Sequence, residues 1–239
     1  MKVSVLTSSS SANSIVVQAN GHWFLIEAGL SPRAASALLH KHDLRLANMH
    51  AVLVSHAHGD HFRYIHDYER RGIHGGIGPA GVSFLDGRVD CRAFAVAHDA
   101  PGGTYGFHIV ERETNAALAI IMDAGSFNKD MRDAINASDC VVIGADYDAE
   151  LEGNGNYEAS LQSRISSATG HMSNQQIQEF IRQDWNGRAH TFILAHLSPR
   201  RNNPELAARR VLEACDPMHV PKIIVSTPAG PTPLISVNP

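Results

Sequence analysis

Cysteine is scarce in this chain and poorly placed for structural work. Cys91, Cys140 and Cys215 are far apart, odd in number and form no CxxC pair. That excludes a disulfide framework and a thiolate zinc finger, and it points to a reducing cytoplasm. No apolar stretch is long enough to cross a bilayer, so no membrane partner is expected. The opening MKVSVLTSSS goes straight into strand-like alternation rather than a signal-peptide core. Charge is muted as well, with 18% charged residues and a formal net charge of -4. There is no global basicity to advertise nucleic acid and no charge block typical of a disordered tail. What the 239 residues do carry is 44% hydrophobic composition, enough for a substantial core, and 15 histidines without a tag-like run.

Strands and helices alternate along the chain. MKVSVLT, SIVVQAN and HWFLIEAG predict early strands, the last two joined at Asn20-Gly21, a hairpin signal. SPRAASALLHKH predicts a helix with Ser31 as N-cap and Pro32 at its first position. AVLVS (51–55) lacks alternation and predicts a fully buried strand. Further strands are expected at RAFAVA (92–97), YGFHIVE (105–111), AALAIIMD (116–123), CVVIGAD (140–146), TFILAH (191–196) and KIIVST. Helices are expected at FNKDMRDAINA, SLQSRISS, SNQQIQEFIRQDW and PELAARRVLEAC, the last capped by Asn203, and the chain closes on a Pro-rich tail. No linker-like segment divides the halves. The pattern predicts one α/β domain over residues 1–239, with two sheets covered by helices.

The chemistry is concentrated in VLVSHAHGDHF (52–62). His56 and His58 lie two apart just past a strand end, where extended backbone sends alternate side chains the same way. They can converge on one ion. Asp60 and His61, in a turn or a first helical turn, are displaced from that pair and better placed to serve a second ion. Imidazole and carboxylate together form the donor set that zinc or manganese accepts. Three later strands end in donors of the same kind: FAVAHDA in His98, AIIMDAG in Asp123 and FILAHLS in His196. All would reach one edge of the sheets.

SHAHGDH is the HxHxDH signature of the metallo-β-lactamase superfamily, and the chain resembles that family along almost its whole length. The resemblance implies an αββα four-layer sandwich with its site at the edge between the sheets. It implies that His56, His58 and His98 hold one divalent ion, that Asp60, His61 and His196 hold a second, and that Asp123 bridges them. Carboxylate at the bridging position resembles hydrolases of phosphodiesters and thioesters rather than true β-lactamases. The segments SSSSANS (8–14), LIEAGLS (25–31), HDAPGGTYGFHI (98–109), SLQSRISSATGHMSN (160–174) and HLSPRRNNPELA (196–207) are similar to the YycJ/WalJ-like subgroup, linked to nuclease activity. Three features depart from that subgroup: Glu27 replaces its usual Asp, GADYD (144–148) replaces a Glu-x-Asn-His-Asp string, and HFRYIH (61–66) replaces the glycine common just after HxHxDH.

Two ions about 3.5–4 Å apart can share a hydroxide and clamp an in-line displacement, with zinc the expected metal and manganese the alternative. Asp60 would then be catalytic as well as a ligand. His171 precedes a helix opened by Ser173, with Gln176 three residues on as a capping box. His171 is therefore a candidate general acid, and Ser173 and Asn174 are candidate phosphate contacts at the helix N-terminus. Arg200, Arg201 and Asn202 follow His196 in a loop suited to a phosphate backbone. Glu27 is expected to orient a ligand histidine. His66, the remaining histidines and the helical pair Arg209 and Arg210 are expected to be surface or packing residues. The substrate reading is a nucleic acid, as for a DNA exonuclease, or alternatively a small cyclic nucleotide. A thioester of the glyoxalase II type is disfavoured by the lack of an added C-terminal helical domain. A binding or scaffold role is weak because every ligand position is filled. Oligomeric state has no sequence handle, and a homodimer stays open.

Overall fold

Runs of β-branched and aliphatic residues build two sheets whose central strands are buried on both faces. A computed structural model describes residues 1–151 and 159–238. The strands are β1 (Lys2–Thr7), β2 (Ser14–Ala19), β3 (His22–Ile26), β4 (Met49–Val54), β5 (Gly75–Ile77) and β6 (Asp90–Val96). Then come β7 (Thr104–Val110), β8 (Ala117–Ile121), β9 (Cys140–Gly144), β10 (Thr191–Ala195), β11 (Lys222–Val225) and β12 (Ile235–Ser236). The helices are α1 (Pro32–Leu39), α2 (Gly59–Phe62), α3 (Ile65–Glu69) and α4 (Pro79–Ser83), followed by α5 (Lys129–Asn136), α6 (Ala159–Ile165), α7 (Asn174–Gln183) and α8 (Pro204–Leu212).

One sheet has the order β12-β1-β2-β3-β4-β5 and the other β11-β10-β9-β8-β7-β6. In the second sheet β6, β7 and β8 are antiparallel in turn, and β8 to β11 run parallel. Two reversals restore direction, so β6, β8, β9 and β10 all end at the same edge. Every residue of β8 and β9 is buried, which explains their lack of alternation. Between the sheets Val5, Ile15, Phe24 and Leu53 meet Phe107, Leu118, Val142 and Ile193. Outside the first sheet, Ala35 and Leu39 of α1 pack with Leu25 and Val52. Outside the second, Met131, Ile177, Phe180 and Val211 of α5, α7 and α8 pack with Val141, Phe192 and Leu194. The order is helix, sheet, sheet, helix.

Capping follows the sequence closely. Ser31 Oγ accepts from Ala34 N, Asn203 Oδ1 accepts from Leu206 N, and the Ser173–Gln176 capping box forms in full. Two strands escaped prediction. β12 is only two residues within the Pro-rich tail, and β5 is the glycine run GGI. Gly75 is required there, since a Cβ would stand 1.9 Å from the Val52 carbonyl oxygen. None of the described helices is long and apolar enough to cross a membrane.

Candidate metal centre

The shared edge gathers the donors from both sheets. His56 and His58 follow β4, and Asp60 and His61 fall in the single turn of α2. From the second sheet His98, Asp123 and His196 follow β6, β8 and β10. All seven residues selected from the sequence come together. The β3–α1 loop is pressed against this turn: Ala28 N donates to the His61 carbonyl at 2.6 Å, and a Cβ on Gly29 would stand 1.8 Å from the Asp60 carbonyl oxygen.

Two groups of ligand atoms are resolved, both touching Asp123. In the first, His56 Nε2 lies 2.9 Å and His98 Nε2 3.2 Å from His58 Nδ1. Both Nε2 atoms are 3.6 Å from Asp123 Oδ2. In the second, Asp60 Oδ2 is 3.2 Å from His61 Nε2 and 3.1 Å from His196 Nε2. These nitrogens are 3.5 Å from Asp123 Oδ2 and 3.6 Å from Asp123 Oδ1 respectively. Ligand atoms around a tetrahedral ion with bonds of 2.0–2.1 Å are separated by about 3.3 Å. Both groups have that spacing. Asp123 Oδ1 is buried with no hydrogen-bond partner among the described residues, which such an ion would satisfy.

The tautomers agree. His98 Nδ1 lies 2.7 Å from the Gly170 carbonyl, which can only accept, so that nitrogen carries hydrogen and Nε2 is left as the donor atom. His196 Nδ1 is likewise held 2.9 Å from Asp146 Oδ2. His61 Nδ1 faces Glu27 Oε1 at 3.3 Å, while Glu27 Oε2 accepts from Ser55 N at 3.1 Å. Glu27 thus stands behind His61, as expected from the sequence. Glu27 and His196 are both held at positive φ, 70° and 58°, backbone strain of the kind that collects at functional sites.

Electrostatics favour a cation at this point. Burial, then repulsion from His61, pushes His56 down to about 2, so it is a neutral donor. Burial opposes ionisation of Asp123, but His196 and His61 outweigh it and hold the carboxyl well below its usual range. Burial likewise works against charge on His61 and His196. The carboxylates of Asp123 and Glu27, and of Asp123 and Asp146, nevertheless raise them well above the ordinary histidine value. Several carboxylates around one point call for positive charge, which divalent ions supply.

Asp146 and Asn13 belong to the site but were not selected from the sequence. One oxygen of Asp146 collects His196 Nδ1 and, at 3.0 Å, His171 Nδ1. Asp123, Asp146, His171 and His196 also lie close enough together to form a third donor grouping. It is better understood as this carboxylate holding two imidazoles, because His196 turns its other nitrogen toward Asp60 and Asp123. Asn13 Nδ2 donates to Asp60 Oδ2 at 3.1 Å and to the Ser9 carbonyl at 3.0 Å. Ser8 Oγ donates to Asn13 Oδ1 and accepts from His196 N, both at 2.8 Å. The Ser-rich loop is therefore a clasp between the two sheets.

The expected phosphate contacts sort differently. His171 lines the cleft over the donors, a space of about 400 Å³, together with Arg164, Tyr147 and Arg201. Ser173, Asn174 and Asn202 instead turn inward. Ser173 caps α7. Asn174 Nδ2 donates to Asp148 Oδ2 at 3.1 Å and to Asn202 Oδ1 at 2.9 Å, and Asn202 Nδ2 donates to the Ala145 carbonyl at 2.8 Å. Arg200 is exposed outside the cleft, whereas Arg201 is buried with its guanidinium 4.8 Å over the Tyr147 ring. A strand-to-helix loop fixes which of three neighbours faces in, and spacing alone does not reveal it. Arg210 is not solvated as expected: it pairs with Asp148 at 3.1 Å and with Glu150 at 2.5 Å. His66 is exposed beside Glu69, as expected.

Two sheets packed face to face, helices outside and a histidine–carboxylate cluster at their common edge define the metallo-β-lactamase fold. Residues 9–111 match the family model of the Metallo-beta-lactamase superfamily. The chain is 28% identical over 237 residues to Exodeoxyribonuclease YycJ of Bacillus anthracis, covering 89% of this chain and 88% of that protein. It is 26% identical over 233 residues to Exodeoxyribonuclease WalJ of Streptococcus pneumoniae serotype 2 (strain D39 / NCTC 7466), covering 86% and 85%. The crystal structure of the metallo-beta-lactamase fold protein YhfI from Bacillus subtilis superposes with a TM-score of 0.68 at 13% identity, covering 97% and 98%, a likeness of fold. The αββα expectation and the resemblance to the superfamily and its YycJ/WalJ-like subgroup are borne out.

Proposed function

We propose that this chain is a dinuclear metal-dependent phosphodiesterase acting on nucleic acid, with an exodeoxyribonuclease activity like that named for its relatives, and that both sheets form one catalytic domain. The observation that carries the reading is Asp123, common to two donor groups that each have the spacing of a metal shell. His56, His58 and His98 would hold one ion, Asp60, His61 and His196 the other, with Asp123 between them. Zinc suits this imidazole–carboxylate set, and manganese is the alternative. When bound, the ions supply Lewis acidity to the phosphate oxygens and acidify the attacking water.

The chain's own groups do the rest. His171 Nδ1 is held by Asp146, leaving Nε2 as the nitrogen that can pass a proton to the departing oxygen. Burial works against a charged His171, but Asp146 outweighs it and raises the pKa, which keeps the acid loaded. Arg201, buried with its guanidinium over the Tyr147 ring, forms part of the cleft wall. Asp60, fixed by Asn13, contributes its orientation. The size of the cleft, about 400 Å³, supports a second reading, a small cyclic diester. Incubation with end-labelled single- and double-stranded DNA, RNA and a cyclic nucleotide panel, with zinc or manganese present, separates the two. Stepwise loss of nucleotides from DNA ends is expected, and activity on the cyclic panel alone would remove the nucleic-acid reading. His58→Ala and Asp60→Ala are expected to abolish hydrolysis without unfolding the chain.

A further inference from the structure

A second cavity, about 860 Å³, lies on the outer face of the first sheet, away from the donors. Three separate segments each bring an exposed arginine to it: Arg33 on α1, Arg45 in the α1–β4 connection and Arg71 after α3. His40 joins them. No carboxylate lines the cavity, and none of the three arginines has an ion-pair partner among the described residues. Its floor is apolar, with Leu46, Met49 and Ile73. A chain of net charge -4 that leaves three guanidinium groups uncompensated over an apolar floor has a surface for a polyanion with flat apolar parts.

The cavity also continues toward the start of α1. A smaller hollow shares Pro32, Arg33 and Arg71 with it and adds Ser31 and the Asp67–Arg70 pair. Ser31 is two residues from Gly29, which packs on Asp60. The Arg63 guanidinium lies beside Gly59, which lines the catalytic cleft. We infer that this basic groove holds the single-stranded nucleic acid trailing from the catalytic cleft, gripping phosphates with Arg33, Arg45 and Arg71 and resting bases on the apolar floor. The inference rests on the nuclease reading above. Met49 in the groove and His56 at the donors are separated by the length of β4, roughly 20 Å at about 3.3 Å per residue. A strand that stays stacked, at about 3.4 Å per phosphate, spans that distance in about six nucleotides.

The test is a metal-loaded Arg33→Gln, Arg45→Gln, Arg71→Gln variant beside the parent. Binding of fluorescent, cleavage-resistant phosphorothioate strands of about four and about twelve nucleotides is followed by anisotropy over a salt series. Three phosphate contacts on a single strand contribute a slope of about 0.7 each, so the variant's plot of log affinity against log salt flattens by about 2 for the longer strand. Its KM for a cleavable strand of the longer length rises. The short strand and turnover of an aryl phosphodiester stay unchanged, which also verifies folding. An unaltered slope and length dependence in the variant overturns the groove and leaves the nuclease reading intact. Loss of inorganic phosphate or mononucleotide binding, with long strands unaffected, overturns it in favour of a small-anion site. A parent that binds no oligonucleotide removes both.

Discussion

Replacing Asp146 tests the supporting shell at its least anticipated member. Its Oδ2 meets His196 Nδ1 at 2.9 Å and His171 Nδ1 at 3.0 Å, both within the buried rim. Asp146→Asn keeps the shape and an acceptor oxygen but removes the charge that makes His196 a stronger donor. Asp146→Ala removes the acceptor, so His196 is free to take the tautomer that points a hydrogen at the ion. Loss of such a partner costs 10–100-fold in metal affinity. The asparagine variant is expected near the lower figure and the alanine variant near the upper, about 1.4 and about 2.7 kcal/mol at about 1.36 kcal/mol per decade. Competition against a chromophoric zinc chelator measures both affinities, and near-ultraviolet circular dichroism verifies packing. An alanine variant that packs normally and retains both equivalents within twofold of the parent's affinity would refute the argument.

Asn13→Ala removes the amide that links Asp60 to the Ser9 carbonyl, and leaving such buried groups unpaired costs about 1–3 kcal/mol, measurable by urea denaturation. For Asp148, burial pushes the carboxyl pKa up, but hydrogen bonds from Arg210, Asn174 and Gln175 outweigh it and hold the value below the ordinary range. A depressed native pKa stabilises above the unfolded value near about 3.9 and is lost as pH falls through the native one. Asp148→Asn is therefore expected to be less stable at neutral pH yet to lose less stability on acidification, read from urea midpoints at a series of pH values. Phe107→Ala, in the layer between the sheets, is expected to cost about 3–5 kcal/mol. Removing metal with a chelator is expected to lower Tm, and restoring it at about 100 times Kd to return about 2.7 kcal/mol.

The candidate donors were legible because His56, His98, Asp123 and His196 each fall where an apolar strand stops, with His58, Asp60 and His61 following in the HxHxDH pattern. The same rule also covers CVVIGAD, whose last residue is Asp146. Asp146 falls in GADYD, where the subgroup's Glu-x-Asn-His-Asp string is replaced, so the resemblance carries no role for it. Asn13 carried no such signal. A Ser-rich loop reads as solvated until its tertiary neighbours, Asp60 and His196, are known to approach from opposite sheets. Helical spacing puts Arg210 on a solvated face and does not disclose Asp148, 62 residues away. Capping needed no such knowledge: Ser31, Ser173 and Asn203 act within three residues of themselves, and all three were predicted correctly. Local physics was readable, and long-range pairing was readable only where a family pattern stood in for it.

Metal analysis by plasma mass spectrometry on the intact chain, purified without chelator, bears most directly on the proposed two-ion centre. Close to two equivalents of zinc or manganese per chain are predicted, falling on Asp123→Ala because both donor groups share that side chain. A folded parent that hydrolyses phosphodiesters while holding no stoichiometric metal would contradict the account.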